Sequence, residues 1–450
     1  MTGAMQEATP EQRTGNARLL WTLFILTAVY LMSSVDRLLF GVVQEMIRKD
    51  LGLNDFQLGL LGGPAFALLY TATSFPIARF ADMHNRVSVI SLVLVAWSVM
   101  TAACGLATSF LHMLIARAGV SIGEAGCTPP SHSLISDMFP PSRRLTAISV
   151  CTAGGPVGAL AAATLGAALA QFHGWRTAFF VCGALGIALA ALLRLTVSEP
   201  ARLHAPAATG GYMSDIRFLL GKRSYLLAGL SGALASFSVV AINQYFVSFL
   251  MRSHHLQLSE AGAVMGIAVG GIGIVSILLA GPITDIASKA LPGIRTWLPA
   301  TGMTWCGLFY VAAFQVADTR WAVALLLLAS LGQTFWVPAI YAIAQDVSPR
   351  SMRATSGALI ISILSVVGYG LGPPLVGFGS DLLSDVSMSL NGLSAASCSA
   401  QLVPDCTKAI ADGLRWSLSL GAFGFVLAGL VFALTGRTIE QDLDISSQPG

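Results

Sequence analysis

The chain has 450 residues, of which 55% are hydrophobic and only 10% charged, and its formal net charge is +3. Soluble domains carry about 25% charged residues, and a soluble fold could not bury this much apolar surface behind a polar exterior. The composition therefore excludes a soluble globular protein and indicates a polytopic membrane protein.

The N-terminal tail, residues 1–17, is polar. The apolar run after it is too long for the hydrophobic region of a signal peptide, so we interpret it as an uncleaved membrane helix. Apolar runs of about 20 residues match the ~30 Å hydrocarbon core, and these lack the period-two alternation of barrel strands. Twelve such runs are predicted as helices 1 to 12: 18–46, 57–80, 87–107, 110–135, 146–170, 175–196, 225–251, 260–281, 297–316, 320–345, 355–379 and 414–435.

A linker containing Pro, Gly and Arg, residues 197–224, separates helix 6 from helix 7. The sequence thus predicts an all-α membrane protein with two six-helix halves, 18–196 and 225–435. A long loop, 380–413, interrupts the second half, and a C-terminal tail, 436–450, follows it.

The distribution of Lys and Arg predicts the orientation of the chain, because cytoplasmic loops carry an excess of these residues. With the N-terminus in the cytoplasm, sixteen lie on the cytoplasmic side, seven lie on the outer side, and two lie within predicted helices. Both termini are therefore expected in the cytoplasm, and for a bacterial protein the membrane would be the inner one.

The two halves contain matching sequences at corresponding helix ends. "DMFPPSRRLT" (137–146) matches "DVSPRSMRAT" (346–355), and "ARFADMHNR" (78–86) matches "GPITDIASK" (281–289). The same comparison predicts Asn54 and Ser259 as the N-caps that open helices 2 and 8. Matches in the same order predict structurally equivalent halves, and parallel halves of this kind can rock against each other around a central site.

"ADMHNR" resembles the signature loop after helix 2 of the major facilitator superfamily, and "RAGVSIGEAG" (117–126) resembles helix 4 of that superfamily. The combination of "VDR" (35–37), "HNR" and "GEA" is most similar to the Spinster branch, whose animal members move lysophospholipids and sphingosine-1-phosphate. Ala78, Met83 and Val87 depart from the usual loop motif. Similar elements occur in the organic anion and cation symporter branch, so small carboxylates or sugar acids are an alternative substrate class.

The resemblance implies a monomeric carrier without a cofactor that works by alternating access on an amphipathic anion, with protons as the coupling ion. The sequence contains no metal motif, nucleophile elbow or Walker lysine, and no nucleic-acid partner is expected. The expected partners are the small-molecule substrate, protons and the lipid bilayer. A receptor that binds without transporting is the alternative from a different class.

Four charges are the clear cases of charged residues well inside predicted helices, and a charge near a helix centre costs about 2.5–3.5 kcal/mol even on the lenient insertion scale. These are Asp36, Arg37, Arg117 and Glu124. At 1.5 Å per residue, those of helix 1 and helix 4 lie at overlapping depths, so they are expected to meet in the cavity. We predict that Asp36 or Glu124 exchanges a proton, while Arg37 and Arg117 hold an anionic group, since guanidinium suits carboxylate and phosphate. The alternative is a structural ion-pair network.

The second half has no comparable charges and offers polar and aromatic residues instead. Asn243 and Tyr245 of helix 7 and Trp336 of helix 10 are predicted to line the substrate site. Interhelical hydrogen bonds and aromatic packing are the alternative interpretation.

Charged residues at the cytoplasmic helix ends are predicted to form an inner gate, with solvated topology charges as the alternative. They are Asp82, Arg86, Asp137, Arg144, Asp285, Lys289, Asp346 and Arg353. Resemblance to the family makes Asp82 with Arg353 the expected contact between the halves.

Five of the seven cysteines lie in apolar runs and are interpreted as buried hydrophobes. Cys398 and Cys406 share the loop between helices 11 and 12, which is predicted to lie outside, where disulfides form. We predict a disulfide between them, and two free thiols are the alternative.

Overall fold

The computed structural model describes residues 10–200, 212–288, 293–349, 352–391, 393, 404–439 and 442. Lys289 and Cys398 lie outside these ranges. The side chains of Asp82, Asp285 and Arg353 also lie outside the described part of the chain. Predictions on these five residues are therefore not addressed by the fold.

Twelve helical segments follow one another in the described residues, and several consist of two or three pieces. Their bounds are: helix 1, Pro10–Leu51; helix 2, Asp55–Gly62 and Pro64–Met83; helix 3, Arg86–Cys104; helix 4, Phe110–Ala125 and Thr128–Met138; helix 5, Pro141–Ala161, Ala162–Gly166 and Ala167–His173; helix 6, Trp175–Thr196; helix 7, Arg223–Ser253; helix 8, Leu258–Met265, Gly266–Ile272 and Gly273–Ser288; helix 9, Ile294–Gln315; helix 10, Thr319–Ser330 and Val337–Asp346; helix 11, Arg353–Leu390; helix 12, Pro404–Thr435.

Nine helices within the described ranges are long and apolar enough to cross a membrane by length and composition. Helices 4 and 10 are each divided by a short break before a proline-containing turn, at Gly126–Cys127 and at 331–336. A proline is tolerated there because the first turn of a helix needs no N–H donor. The prediction of an all-α membrane protein with twelve helices is confirmed. A further short linker helix, Tyr212–Leu220, precedes helix 7.

The predicted loop 380–413 is largely helical, and its boundaries were wrong. Helix 11 runs on to Leu390, and helix 12 begins at Pro404. The extensions pack closely, since a Cβ on Gly413 would lie 2.1 Å from the Ser384 hydroxyl. The predicted boundaries were based on hydropathy, which indicates only where a helix leaves the apolar layer. The helix itself can extend beyond that point and include charged residues such as Asp381.

Cys406 is disulfide-bonded, and the five cysteines of the apolar runs are free and buried. Its partner lies outside the described residues, so the pairing with Cys398 stays a prediction. In a non-reduced proteolytic digest of protein from intact cells, we expect one cross-linked peptide pair containing Cys398 and Cys406. A Cys398 that alkylates without prior reduction would contradict it, and buried Cys306 serves as the internal free-thiol control.

The two halves meet through small residues on the side that the Lys/Arg distribution predicts to be outside, which we call the outer side. A Cβ on Gly59 of helix 2 would lie 2.4 Å from the Pro373 carbonyl oxygen of helix 11. A Cβ on Gly262 of helix 8 would lie 2.2 Å from the Ala163 carbonyl oxygen of helix 5. Glycine lets membrane helices approach this closely, so the halves touch backbone to backbone.

Helices 5 and 8 each contain a short π-helical segment, and the two segments face each other across this contact. They span Ala162–Gly166 and Gly266–Ile272. A Cβ on Gly266 would lie 2.9 Å from the Thr164 methyl group. π-helical turns inside α-helices are rare and are found frequently at functional sites.

Candidate transport site

A cavity of about 70 Å³ lies between the halves. Its walls come from helices 1, 2 and 4 of the first half and helices 7 and 11 of the second, and it is lined by Arg37, Leu38, Gly41, Gly62, Phe66, Arg117, Val240, Asn243, Gln244 and Tyr369. Both arginines predicted from the sequence therefore reach one cavity, together with Asn243.

Arg37 forms an ion pair with Glu124 at the edge of the cavity. Its Nε lies 2.7 Å from Glu124 Oε2, while the Ser33 hydroxyl donates to the same oxygen over 2.9 Å. The Arg37 side chain is 31% exposed and that of Glu124 is fully buried. Arg37 thus faces the cavity with Glu124 behind it, a geometry that leaves part of the guanidinium fork available to a ligand.

Aromatic rings flank the two arginines. The guanidinium carbon of Arg37 lies 5.3 Å from the centroid of Phe66 and 5.4 Å from that of Tyr70. That of Arg117 lies 5.0 Å from the centroid of Phe40. Contacts of this kind stabilise a buried cation without neutralising it, so both arginines keep a positive charge that an anion can use.

Asp36 is adjacent to Arg37 in sequence but points elsewhere, because successive helical residues are about 100° apart. It is 2% exposed, and its Oδ1 has no hydrogen-bond partner in the described residues. Thr101 and Trp97 of helix 3 face its carboxyl group. Arg117 donates to the Asp36 backbone carbonyl over 3.3 Å. The four predicted charges are thus close together, and within this set of four described side chains the one ion pair is that of Arg37 with Glu124.

The wall from the second half is a hydrogen-bonded polar chain. Asn243 accepts from Gln333 Nε2 over 2.7 Å, and the Tyr310 hydroxyl donates to Gln333 Oε1 over 2.9 Å. The other two predicted substrate contacts lie away from the cavity. Tyr245 is fully buried and donates to the Asp55 carbonyl oxygen, and Trp336 is 4% exposed and donates to the Gln333 carbonyl oxygen. We therefore keep only Asn243 as a substrate-binding candidate in this half.

Sequence reasoning missed a buried ion-pair cluster that joins the halves on the outer side. Arg252 of helix 7 lies 2.7 Å from Glu45 of helix 1 and 2.7 Å from Asp55 of helix 2. All three side chains are at most 6% exposed. Asp381 of helix 11 accepts the backbone N–H groups of Asp55 and Phe56 at 3.0 and 2.9 Å. We call Glu45, Asp55, Arg252 and Asp381 the outer cluster.

The outer cluster joins the two halves on the outer side, since each half contributes one or more partners to every contact. The amide groups of Gln44 and Gln244 reinforce it, because Gln244 Nε2 donates to Gln44 Oε1 over 2.5 Å and Gln44 donates to the Gln244 backbone carbonyl. In the sequence, the residues of the outer cluster resemble the charged residues that commonly flank membrane helices. No sequence pattern marks them as partners in an ion-pair cluster.

Two of the predicted inner-gate residues, Arg86 and Asp137, form an ion pair within the first half. Arg86 lies 2.6 Å from Asp137 and 2.7 Å from Glu199, which the sequence analysis did not single out. The Nε of Arg144 is buried without a partner in the described chain, and Asp346 is exposed. A role for these residues in joining the halves stays a prediction.

Two six-helix halves with a charged cavity between them and a closed outer side define a membrane carrier. Residues 23–373 match the Major Facilitator Superfamily. The chain belongs to this superfamily, and it is a transporter rather than an enzyme.

Similarity to individual proteins indicates the branch of the superfamily to which the chain is most similar. The MFS-type efflux pump of Mycolicibacterium smegmatis is 33% identical over 379 residues, covering 83% of this chain and 87% of that protein. The sphingosine-1-phosphate transporter SPNS2 of Xenopus tropicalis is 24% identical over 437 residues, covering 93% and 82%. A bacterial homolog of the human lysosomal transporter Spinster, solved inward-facing and unoccupied, has a TM-score of 0.86 at 31% identity and covers 94% and 98%. The resemblance to the Spinster branch is confirmed.

Proposed function

We propose that the protein is a proton-coupled transporter of an amphipathic anion such as a lysophospholipid or sphingoid phosphate, working by alternating access with both termini in the cytoplasm. The observation that carries the proposal is the pairing of the cavity-facing Arg37 with the fully buried Glu124 at 2.7 Å. Because Arg37 is already paired with a buried acid, the binding of an anion to Arg37 affects the protonation state of Glu124.

The coupling follows from competition for one guanidinium. A substrate anion that binds Arg37 draws it away from Glu124, which has Ser33 as its other described partner. A carboxylate left in an apolar site without its cation is costly, so it takes up a proton instead. Conversely, protonation of Glu124 releases Arg37 for the anion. Proton and anion binding are therefore cooperative, as a symporter requires.

Asp36 is the second proton candidate, because its carboxyl group is buried and forms no ion pair with any described residue. Its contact with Arg117 is through the backbone carbonyl rather than through the carboxylate. Movement of Arg117 toward an anion would therefore change the field at Asp36 without breaking an ion pair.

The cavity also supports an amphipathic ligand. Arg37 and Arg117 provide the charge, while Phe66 and Tyr369 present aromatic rings 6.2 Å apart from opposite halves. A phosphate or carboxylate head would bind the arginines, and an apolar chain would contact the rings. The alternative substrate class, small carboxylates and sugar acids, would use the arginines and the Asn243 amide instead. Membership of a transporter family disfavours a receptor without transport.

Uptake into proteoliposomes tests the proposal. We expect sphingosine-1-phosphate and lysophosphatidate to enter faster under a pH gradient than without one, and a protonophore to remove the difference. Sphingosine, which lacks the phosphate, is the matched control substrate and should not be accelerated. Gradient-driven uptake of glucuronate without uptake of either lipid would favour the small-anion alternative and contradict the lipid proposal.

A further inference from the structure

A second pocket lies on the outer side, within the second half and away from the central cavity. It encloses about 440 Å³ between the ends of helices 7 and 9 and the start of helix 12. The residues used below are Arg252, Ser253, His254, Lys408, Asp412 and Arg415, all of which line it.

Three buried polar atoms in this lining have no hydrogen-bond partner in the described chain. They are the Ser253 hydroxyl oxygen, His254 Nε2 and Arg415 Nε. His254 is 9% exposed, so its ring cannot satisfy this nitrogen by turning to bulk water. Buried polar groups almost always have a partner, so three unpartnered groups around one pocket indicate a polar ligand.

The tautomer of the His254 ring decides whether it presents a donor to the pocket. The Thr319 hydroxyl lies 3.4 Å from Nδ1. Burial first, and next the neighbouring His255, lower the pKa of His254, whereas Asp318 raises it, so the ring is neutral at neutral pH. When the Thr319 hydroxyl donates to Nδ1, the neutral ring carries its proton on Nε2, the nitrogen without a partner in the described chain.

The charges in the pocket favour an anion. Lys408 is exposed and carries a full positive charge at the rim. Asp412 is the acid among the lining residues, and it is paired with Arg415 at 3.3 Å through Nη2, which leaves the Nε of Arg415 toward a ligand. Arg252 is held by the outer cluster. A hydroxyl, an imidazole nitrogen, a guanidinium N–H and an ammonium thus line one pocket, and they match the several oxygens of phosphate better than the two of carboxylate.

We infer that this pocket is a second anion site, outside the central cavity, that binds a phosphate monoester. Phe314, Val316 and Pro404 supply an apolar wall beside the donors, which suits the alkyl part of an ester. Since Arg252 belongs to both the pocket and the outer cluster, the site adjoins the contact between the halves on the outer side. The inference goes beyond the proposed function, because it concerns a site that the central arginines do not form.

Equilibrium dialysis against protein in lipid nanodiscs tests the inference, with empty nanodiscs as the blank and hexyl phosphate as the probe. We expect two sites in the unmodified protein and one in the Arg37→Ala variant. In that background, Lys408→Met should weaken the remaining site at least about tenfold, the loss of one charge-assisted hydrogen bond. Arg415→Gln should do the same, whereas Lys49→Met, which removes an exposed lysine that does not line the pocket, should have no effect.

The outcomes separate this inference from the proposed function. An Arg37→Ala protein that binds no hexyl phosphate, or binds it equally with and without Lys408→Met, would overturn the outer site. Two sites of which Arg37→Ala removes neither would instead contradict the central site and leave the outer one standing. A parallel titration with inorganic phosphate identifies the source: competition at millimolar concentration indicates a free-anion site, and its absence indicates that the alkyl chain is required.

Discussion

Replacing Arg252 by alanine is expected to open the outer side of the protein. In the closed arrangement Glu45 and Asp55 would remain buried without their cation, and breaking a buried ion pair in this way costs about 3–5 kcal/mol. Opening hydrates both carboxylates, so the penalty falls on the closed state alone. The equilibrium between closed and open outer sides should shift by about a hundredfold or more.

Spin-label distances across the outer ends measure this shift, with labels at Lys49→Cys in the first half and Arg320→Cys in the second. Both positions are exposed and lie outside the outer cluster. We expect the distance distribution of Arg252→Ala to move to longer values. Arg48→Ala is the matched control, because Arg48 pairs with the same Glu45 at 3.1 Å but within helix 1.

The size of the effect relative to this control decides the interpretation. Identical distributions in Arg252→Ala and Arg48→Ala would mean that the outer cluster does not hold the halves together. If Arg252→Ala lowered the folded yield without changing the distance, the outer cluster would contribute to stability alone. Asp381→Asn, which keeps a carbonyl oxygen for the helix 2 N–H groups, should have a smaller effect than Arg252→Ala.

Glu124→Gln is expected to uncouple transport from the proton gradient while leaving anion binding intact. The amide is nearly isosteric and can still accept from Ser33, but it cannot take up a proton or compete for Arg37 as a charge. The part of the pH dependence of binding that Glu124 causes should be lost, and acceleration by a pH gradient should disappear. Arg37→Ala should instead weaken binding by about tenfold or more, since one partner of a charge-assisted contact is gone.

Paired measurements of binding and gradient-driven flux test this pattern, and Asp36→Asn is the matched comparison. If Asp36 carries the proton, its variant loses the gradient effect and Glu124→Gln keeps it. Full pH-dependent flux in both carboxylate variants would refute proton coupling through these residues. A purely structural network would lower the melting temperature in all variants and leave residual flux responsive to pH.

The sequence predicted the meeting of the charges on helices 1 and 4 because depth along a helix follows from counting residues. It could not predict that Arg37 would pair with Glu124 while Asp36 turned toward helix 3, since that depends on how each helix is rotated about its axis. Asn54 was predicted correctly as a cap and forms a capping box with Gln57. The prediction that Ser259 caps helix 8 was wrong, because the N-cap is Gln257, two residues earlier.

The outer cluster shows a different limit of sequence reasoning. Glu45, Asp55 and Arg252 each lie near a predicted helix end, where charged residues are common because the helix leaves the apolar layer. Their contact depends on which side of the carrier is closed, and one sequence must serve both the closed and the open arrangement. Asp381 was also missed because the sequence analysis assigned it to the loop 380–413, whereas it lies in helix 11.

The π-helical segment of helix 5 sets the rotational phase of everything that follows it. Beyond that segment, Gln171 donates to the Gln257 side chain over 2.9 Å and accepts the Ser259 backbone N–H over 2.7 Å. If Ala162–Gly166 wound as an α-helix with the same number of residues, the remainder of helix 5 would be turned by about 100° and Gln171 would leave this contact. The wide π-helical turn thus sets the rotation of helix 5 that directs the Gln171 side chain toward the first turn of helix 8.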